Sequence, residues 1–341
     1  MRIQAGEKYL GDQSVETIYF GGGTPSLMNT DDIERIIKEI HLHWPVNQDA
    51  EITLEANPDD LNETVLSSWK DISINRLSIG IQSLYDDELS WMNRAHNAEE
   101  ALSALDKARN AGFRQLTADF IYGSSLMTDE RWIATLEWIS RQQIPHISCY
   151  ALTVEPKTPL AKRKRTISEI ETENEKQSRQ FLMLMEALDK SGYEHYEISN
   201  FAQPGQRSRH NTAYWHGKHY LGIGPSAHSF NGSSRQWNIS SNSKYIESIN
   251  NNILPAEKET LSNRQMLNEY ILTHLRLKEG CNKNFISEKF GESFLRKIET
   301  SIQKFEKKGQ LVINDDSFLL SNEGKLFADA IAADLFFMDE V

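Results

Sequence analysis

Three groups of residues in this chain have the types and spacing to do chemistry. Residues 21 to 23 are consecutive glycines, followed by Thr24 and Pro25, at the end of the β-branched and aromatic run VETIYF. Glycine there lets a ligand approach main-chain N–H groups with no Cβ in the way, although a sharp strand-to-loop turn uses the same residues. The run lacks the GxGxxG spacing of a dinucleotide fingerprint and the lysine of a P-loop. The second group is polar and closes strand-like runs: Glu55 with Asn57-Pro58, Gln82-Ser83, Asp119 with Tyr122-Gly123, and Tyr150-Ala151. Each alone has a plain alternative, since Glu55 or Asp119 could cap the next helix and Gln82 could bond a loop backbone. The third is a stretch, 199–238, holding His210, His216, His219 and His228 beside Tyr214, Trp215, Tyr220 and Phe230. Such a stretch could line a pocket for a flat aromatic ligand with an imidazole on iron, or form a loop-rich cover whose histidines bond backbone.

The elements that must position these residues alternate. Strand-like runs VETIYF (15–20), EITLEA (51–56), NRLSIGI (75–81), QLTADFIY (115–122) and HISCYAL (146–152) are separated by amphipathic stretches DDIERIIKEIHLHW, DLNETVLSSWK, NAEEALSALDKARNAG and DERWIATLEWISRQ. Asn97 with Glu100, and Ser168 with Glu171, have capping-box spacing, and Gly112 stands where a C-terminal glycine belongs. This order predicts an α/β fold of βα units around a parallel sheet, with the polar strand ends at one mouth. Domains are expected at 1–200 (a partial βα barrel), 201–255 (a Gly/His/aromatic-rich cover) and 256–341. The last reads helix, short helix, helix, GQLVINDDSFLLS and a final helix from Asn322, a pattern that looks like a winged helix.

Composition narrows the function. The chain has 341 residues, 39% hydrophobic and 25% charged, with a net charge of −12. That balance argues against a nucleic-acid groove and against membrane attachment by charge. Residues 261–341 carry eleven Lys/Arg against thirteen Asp/Glu, so the winged-helix pattern does not imply DNA binding. The basic run Lys162-Arg163-Lys164-Arg165 reads as a solvated loop. No apolar run approaches the ~20 residues of a membrane span and Met1 opens no signal peptide, so the expected location is cytoplasmic. The two cysteines, Cys149 and Cys281, offer no CxxC site or disulfide framework, and Cys149 reads as a buried structural thiol.

Taken together, IYFGGGTPSL, LEANPDDL, INRLSIGIQS, WMNRAH, ADFIYG, YEISNFAQPGQRSRHNTAYW and YLGIGPSAHS resemble the radical S-adenosylmethionine (SAM) proteins of the coproporphyrinogen dehydrogenase, HemN-like, group. HNTAYW matches the HNxxYW pattern of its HemW-type haem chaperones. The resemblance implies a partial (β/α)6 TIM-like barrel missing its first strand, then a mostly helical, winged-helix-like C-terminal domain. It implies that Gly22, Gly23 and Thr24 meet the amino-acid part of SAM and that Glu55 reaches a polar SAM group. Gln82, Arg94 and Asp119 line the same mouth, Ala151 contacts the nucleoside, and His210 is the haem-iron candidate. No catalytic residue is assigned. The implied function is delivery of haem to an apoprotein, with a respiratory-chain component as recipient. Oxygen-independent coproporphyrinogen III dehydrogenase is the alternative, and an unrelated barrel enzyme with a phosphate-containing substrate, for which the chain offers no catalytic dyad, is a third reading.

One departure from the family is large. Its members hold a [4Fe–4S] cluster with a CxxxCxxC motif in a loop that precedes the position of residue 1 here. Two isolated cysteines cannot supply that set, so the chain as given is expected to bind no cluster and to lack reductive SAM cleavage. A start placed too late or a truncated chain is the expected reason; a paralogue that lost its cluster is the other.

Overall fold

The computed structural model describes residues 6, 9–11, 13–153 and 167–338, without the side chains of 167–173. The basic run 162–165 and the side chains of Ser168 and Glu171 lie outside the described residues. A seven-stranded sheet runs in the order β1-β2-β3-β4-β5-β7-β6, made of β1 (Val15–Phe20), β2 (Val46–Ala56), β3 (Arg76–Gln82), β4 (Gln115–Tyr122), β5 (His146–Ala151), β6 (Glu194–Glu197) and β7 (Asn200–Ala202). Strands β2 to β5 pair in parallel, and β7 and β6 close the far edge antiparallel. Helices α1 (Thr30–His43), α2 (Glu63–Asp71), α3 (Asp86–Trp91), α4 (Ala98–Asn110), α5 (Asp129–Gln142) and α6 (Ile167–Lys190) make the connections. This is the expected partial TIM-like barrel, and the antiparallel edge and the short α3 are additions to it. The helix ends follow local chemistry: Asn97 and Glu100 form a reciprocal capping box on α4, and Gly112 beyond its end has φ +87°, a left-handed turn that favours glycine.

Two compact units partition the chain. One comprises residues 19–30 and 51–208. Its strands alternate strictly, because successive side chains point to opposite faces. Leu77, Ile79 and Ile81 of β3, Leu116, Ala118 and Phe120 of β4, and Ile147 and Cys149 of β5 are buried, as are Trp69, Leu105 and Trp132 of the helices. The opposite face is polar. Arg76 bonds Thr117 at 2.9 Å, Ser78 donates to Asp119 at 3.0 Å, His146 meets Tyr196 at 2.7 Å and Ser148 donates to Asn200 at 3.1 Å. The Arg76–Glu51 ion pair, 3.5 Å apart, is buried within this set. Parallel strands covered on both faces are normally continuous apolar runs. The polar inner face is instead a buried network of paired side chains.

The other unit comprises residues 1–18, 31–50 and 209–341. It carries α7 (Arg209–Trp215), a small antiparallel sheet of β8 (His228–Phe230), β9 (Ser234–Asn238) and β10 (Ala256–Thr260), and α8 (Asn242–Asn250). For 199–238 the sequence leaves open a pocket lining or a loop-rich cover, and no strand is expected there. The strand β9 is hidden because its inward residues are polar: Ser234, Gln236 and Asn238 are buried, and Asn238 donates to the carbonyls of Gly222 and Gly224. No hydrophobic alternation betrays such a strand. The C-terminal part holds α9 (Asn263–Leu275), β11 (Cys281–Asn282), α10 (Lys283–Phe290), α11 (Glu292–Lys307), β12 (Leu311–Ile313), β13 (Ser317–Leu320) and α12 (Ala328–Asp334). The three strands form a sheet in the order β11-β13-β12, and Asn314 folds the wing by accepting from the amides of Asp316 and Ser317. The final helix starts at Ala328 rather than Asn322, because a 3-10 turn over Gly324–Phe327 comes first. No helix among the described residues is long and apolar enough to cross a membrane.

Candidate functional site

The glycine run sits beyond β1 and its three residues differ in what they require. A Cβ on Gly21 would lie 2.4 Å from the Tyr19 ring and 2.8 Å from Glu55 Oε1, so Gly21 makes room. Gly22 and Gly23 have φ of +76° and +74° with open space around them. They turn the chain while leaving main chain exposed. Thr24 precedes the short helical turn Pro25–Leu27. Ser26 in that turn donates to Asp60 at 2.5 Å, tying the glycine loop to the loop that follows β2.

Glu55, near the end of β2, faces the same loop. Its Oε1 accepts from the Tyr19 hydroxyl at 2.5 Å and its Oε2 from the Gly22 amide at 3.2 Å. Asp119 on β4 accepts from Ser78, and Ser148 of β5 stands opposite it in register. Burial pushes the Asp119 carboxyl up to about 6, with hydrogen bonds from Ser148 and Ser78 opposing and the charge of Glu55 adding to the rise. Tyr19 and Tyr150 are pushed upward, chiefly by burial; Glu55 and Asp119 add to the rise of Tyr19, and Asp119 to that of Tyr150. Arg94 is partly buried and held below the usual guanidinium range by that burial, with the Asp119 charge opposing. Gln82 has φ +63° and leaves β3 where its register with β4 shifts. That turn brings its Nε2 back toward Gly80. Ala151 ends β5, paired with Tyr122.

Gly22, Glu55, Asp119 and Arg94 are thus linked by hydrogen bond or charge, and Gln82 and Ala151 occupy neighbouring strand ends. His210 is placed in the other unit. Sequence reading missed Tyr19, Ser78 and Ser148, though polar residues at every second position of RLSIGI and HISCYA were a visible signal for the last two.

His210 is on α7, where its Nδ1 lies 2.9 Å from the Thr17 hydroxyl. Tyr214 and Trp215 follow on the same helix with ring centroids 5.4 Å apart. Tyr214 continues to Tyr220 at 5.3 Å and Tyr220 to Phe230 at 6.2 Å. The Arg276 guanidinium lies over Trp215 at 5.0 Å. Tyr214 is 47% exposed. A histidine that meets a threonine hydroxyl, on one helix with Tyr214 and Trp215, combines an imidazole with neighbouring aromatic rings, the residue types that a flat, metal-bearing ligand uses.

The two cysteines are not among the strand-end residues described above. Cys149 on β5 and Cys281 on β11 are both buried, and burial raises both thiols well above the ordinary range. Among the described residues no three His, Cys, Asp or Glu side chains gather to hold a metal ion.

Comparison with known proteins places this architecture. A model of the radical SAM superfamily matches residues 3–139, and one of the HemN C-terminal domain matches residues 261–327. The haem chaperone HemW of Lactococcus lactis is 32% identical over 286 residues, covering 83% of this chain and 74% of that protein. HemW of Haemophilus influenzae is 30% identical over 344 residues, covering 99% of this chain and 87% of the relative. HemW of Bacillus subtilis is 28% identical, with 94% and 85% covered. Among solved structures, coproporphyrinogen III oxidase (HemN) from Escherichia coli superposes with a TM-score of 0.80 at 22% identity, over 95% of this chain and 78% of that one, a likeness of fold. With relatives of this identity matched over most of their length, the chain belongs to the HemW family of radical SAM proteins.

Proposed function

We propose that this protein is a haem-binding chaperone that delivers haem to an apoprotein, with SAM held at the strand-end mouth. The observation that carries the reading is α7: one helix presents His210, fixed through Nδ1 by Thr17, together with Tyr214 and Trp215 at the head of an aromatic surface. A porphyrin needs those two things, a broad apolar contact and an axial donor. A respiratory-chain apoprotein in the cytoplasm's reach is the proposed recipient, on the strength of the family resemblance. Titration with haemin should give a saturable Soret change, and the loaded protein should transfer haem to a haem-free globin. Incubation with coproporphyrinogen III, SAM and a reductant should yield no protoporphyrinogen; its formation would favour the dehydrogenase reading.

The mouth suits SAM chemically. Gly22, Gly23 and Thr24 offer main chain and a hydroxyl to the amino-acid part. Glu55 and Asp119 supply negative charge where the dielectric is low, Gln82 and Arg94 line the rim, and Ala151 borders the nucleoside. Bound SAM supplies a sulfonium and an amino-acid headgroup. These 341 residues do not supply the thiolates of a [4Fe–4S] cluster, which is normally held by several cysteines. Anaerobic reconstitution with iron and sulfide should therefore leave this polypeptide without stoichiometric iron, and uptake of about four irons with broad visible absorption would contradict that expectation.

A further inference from the structure

The hydrogen bonds of Glu55 identify a residue of the mouth that neither the family pattern nor the sequence singled out. A carboxylate has about four acceptor positions on two oxygens. Here each oxygen is engaged by the same short segment: Oε1 by the Tyr19 hydroxyl at 2.5 Å, Oε2 by the Gly22 amide at 3.2 Å. The two bonds are unequal. The first is short and made by a tyrosine that burial and the neighbouring carboxylates keep protonated, so it is a donor at every working pH. The second is long, and it is made by an amide on an exposed glycine with open space around it. Gly21 completes the arrangement, because any Cβ there would strike both the Tyr19 ring and Glu55 Oε1.

We propose that Tyr19 is a positioning residue: its hydroxyl pins Glu55 beside the Gly22 amide, so that a ligand carrying an ammonium and a carboxylate on one carbon inserts between them. The ammonium takes Glu55 Oε2 and the carboxylate takes the Gly22 N–H. Each group released from the Glu55–Gly22 bond then regains a charged partner, and nothing is left unpaired. A ligand with only one of the two charges leaves either the carboxylate or the amide without compensation. The mouth therefore selects an α-amino-acid headgroup, and Tyr19 sets the selectivity through Glu55 without touching the ligand. This inference rests on the reading that SAM binds at this mouth.

Calorimetric titration with S-adenosylhomocysteine and with 5′-methylthioadenosine, which lacks the headgroup, separates the possibilities. Tyr19→Phe, which removes one oxygen, should weaken S-adenosylhomocysteine about three- to tenfold, within the net range of one ordinary hydrogen bond because the residue acts only through Glu55, and leave methylthioadenosine unchanged. Glu55→Gln should shrink the preference for the headgroup, and adding Tyr19→Phe to it should have no further effect, as a double-mutant cycle requires of one coupled pair. Unchanged S-adenosylhomocysteine binding by Tyr19→Phe, or equal loss of both ligands, would overturn the positioning role alone. Failure of the unsubstituted protein to bind either nucleoside would end the SAM reading itself, and this inference with it.

Discussion

His210→Ala should weaken haem binding by about tenfold or more, each tenfold being ~1.4 kcal/mol, and shift the Soret band while leaving the thermal transition in place. Most of the affinity of a porphyrin comes from burying its large apolar faces, at ~25 cal/mol per Å² before ordering costs, and the aromatic group from Tyr214 to Phe230 remains in the variant. The lost part is the iron–imidazole bond, which is why the spectrum must change along with the affinity. Thr17→Val provides a graded control. The Thr17 hydroxyl is 2.9 Å from His210 Nδ1, and hydrogen bonds to the second nitrogen of a ligating imidazole orient it and tune its basicity. That variant should show a smaller loss of affinity with a shifted spectrum. His219 is exposed and lies 2.9 Å from Gln13 through its own Nδ1, so His219→Ala should leave the Soret band where it is. If His210 instead only fastens α7 to β1, His210→Ala should melt earlier and any haem spectrum should be unaltered.

Asp119 should make SAM binding depend on pH with a midpoint near its own. Burial raises this carboxyl to about 6, so at pH 5 it is mostly neutral and at pH 7 mostly ionised. A cationic ligand gains from the ionised form, and if it binds that form alone the apparent affinity rises about tenfold between those pH values, following the ionised fraction. The groups that act on Asp119 are Ser78, Ser148, Glu55, Arg76 and Arg94, and Glu55 shares the mouth. Asp119→Asn should flatten the profile. Stability runs the other way. Because the folded pKa is raised above the ordinary carboxylate value, the folded state holds a proton that the unfolded chain has released, so this group's contribution is full below about pH 4 and is lost as pH rises through about 6. The ligand-free protein should therefore melt lower, through this group, as pH climbs across that window while the stabilisation gained from SAM grows. A SAM affinity that is level from pH 5 to 7 in the unsubstituted protein would show that Asp119 does not face the bound cation.

Much of the barrel was legible because its signals are local. Five strand runs, four amphipathic helices, the Asn97–Glu100 box and Gly112 depend on residues within one turn or one strand of each other, and short-range geometry is what periodicity reports. The glycine run and the polar strand ends were legible for the same reason: a strand that carries Glu55 or Asp119 in its C-terminal half announces its mouth without any knowledge of its neighbours. The strand β9 was not, since it buries Ser234, Gln236 and Asn238 against carbonyls that only the folded chain brings near. The Tyr19 hydroxyl, the Arg76–Glu51 pair and the polar inner face were visible as residues but not as partners.

By itself, then, the sequence determined the family, the alternation of strand and helix, and which end of the sheet carries chemistry, because each of these is written in residues close along the chain. Only the tertiary structure decided who holds whom. Thr17 reaches His210 across 193 positions, Tyr19 reaches Glu55 across 36, and Asp119 acquires its raised pKa from burial that no spacing records. Hydrogen-bond partnership and desolvation are properties of distance in space, and spacing along the chain does not contain them.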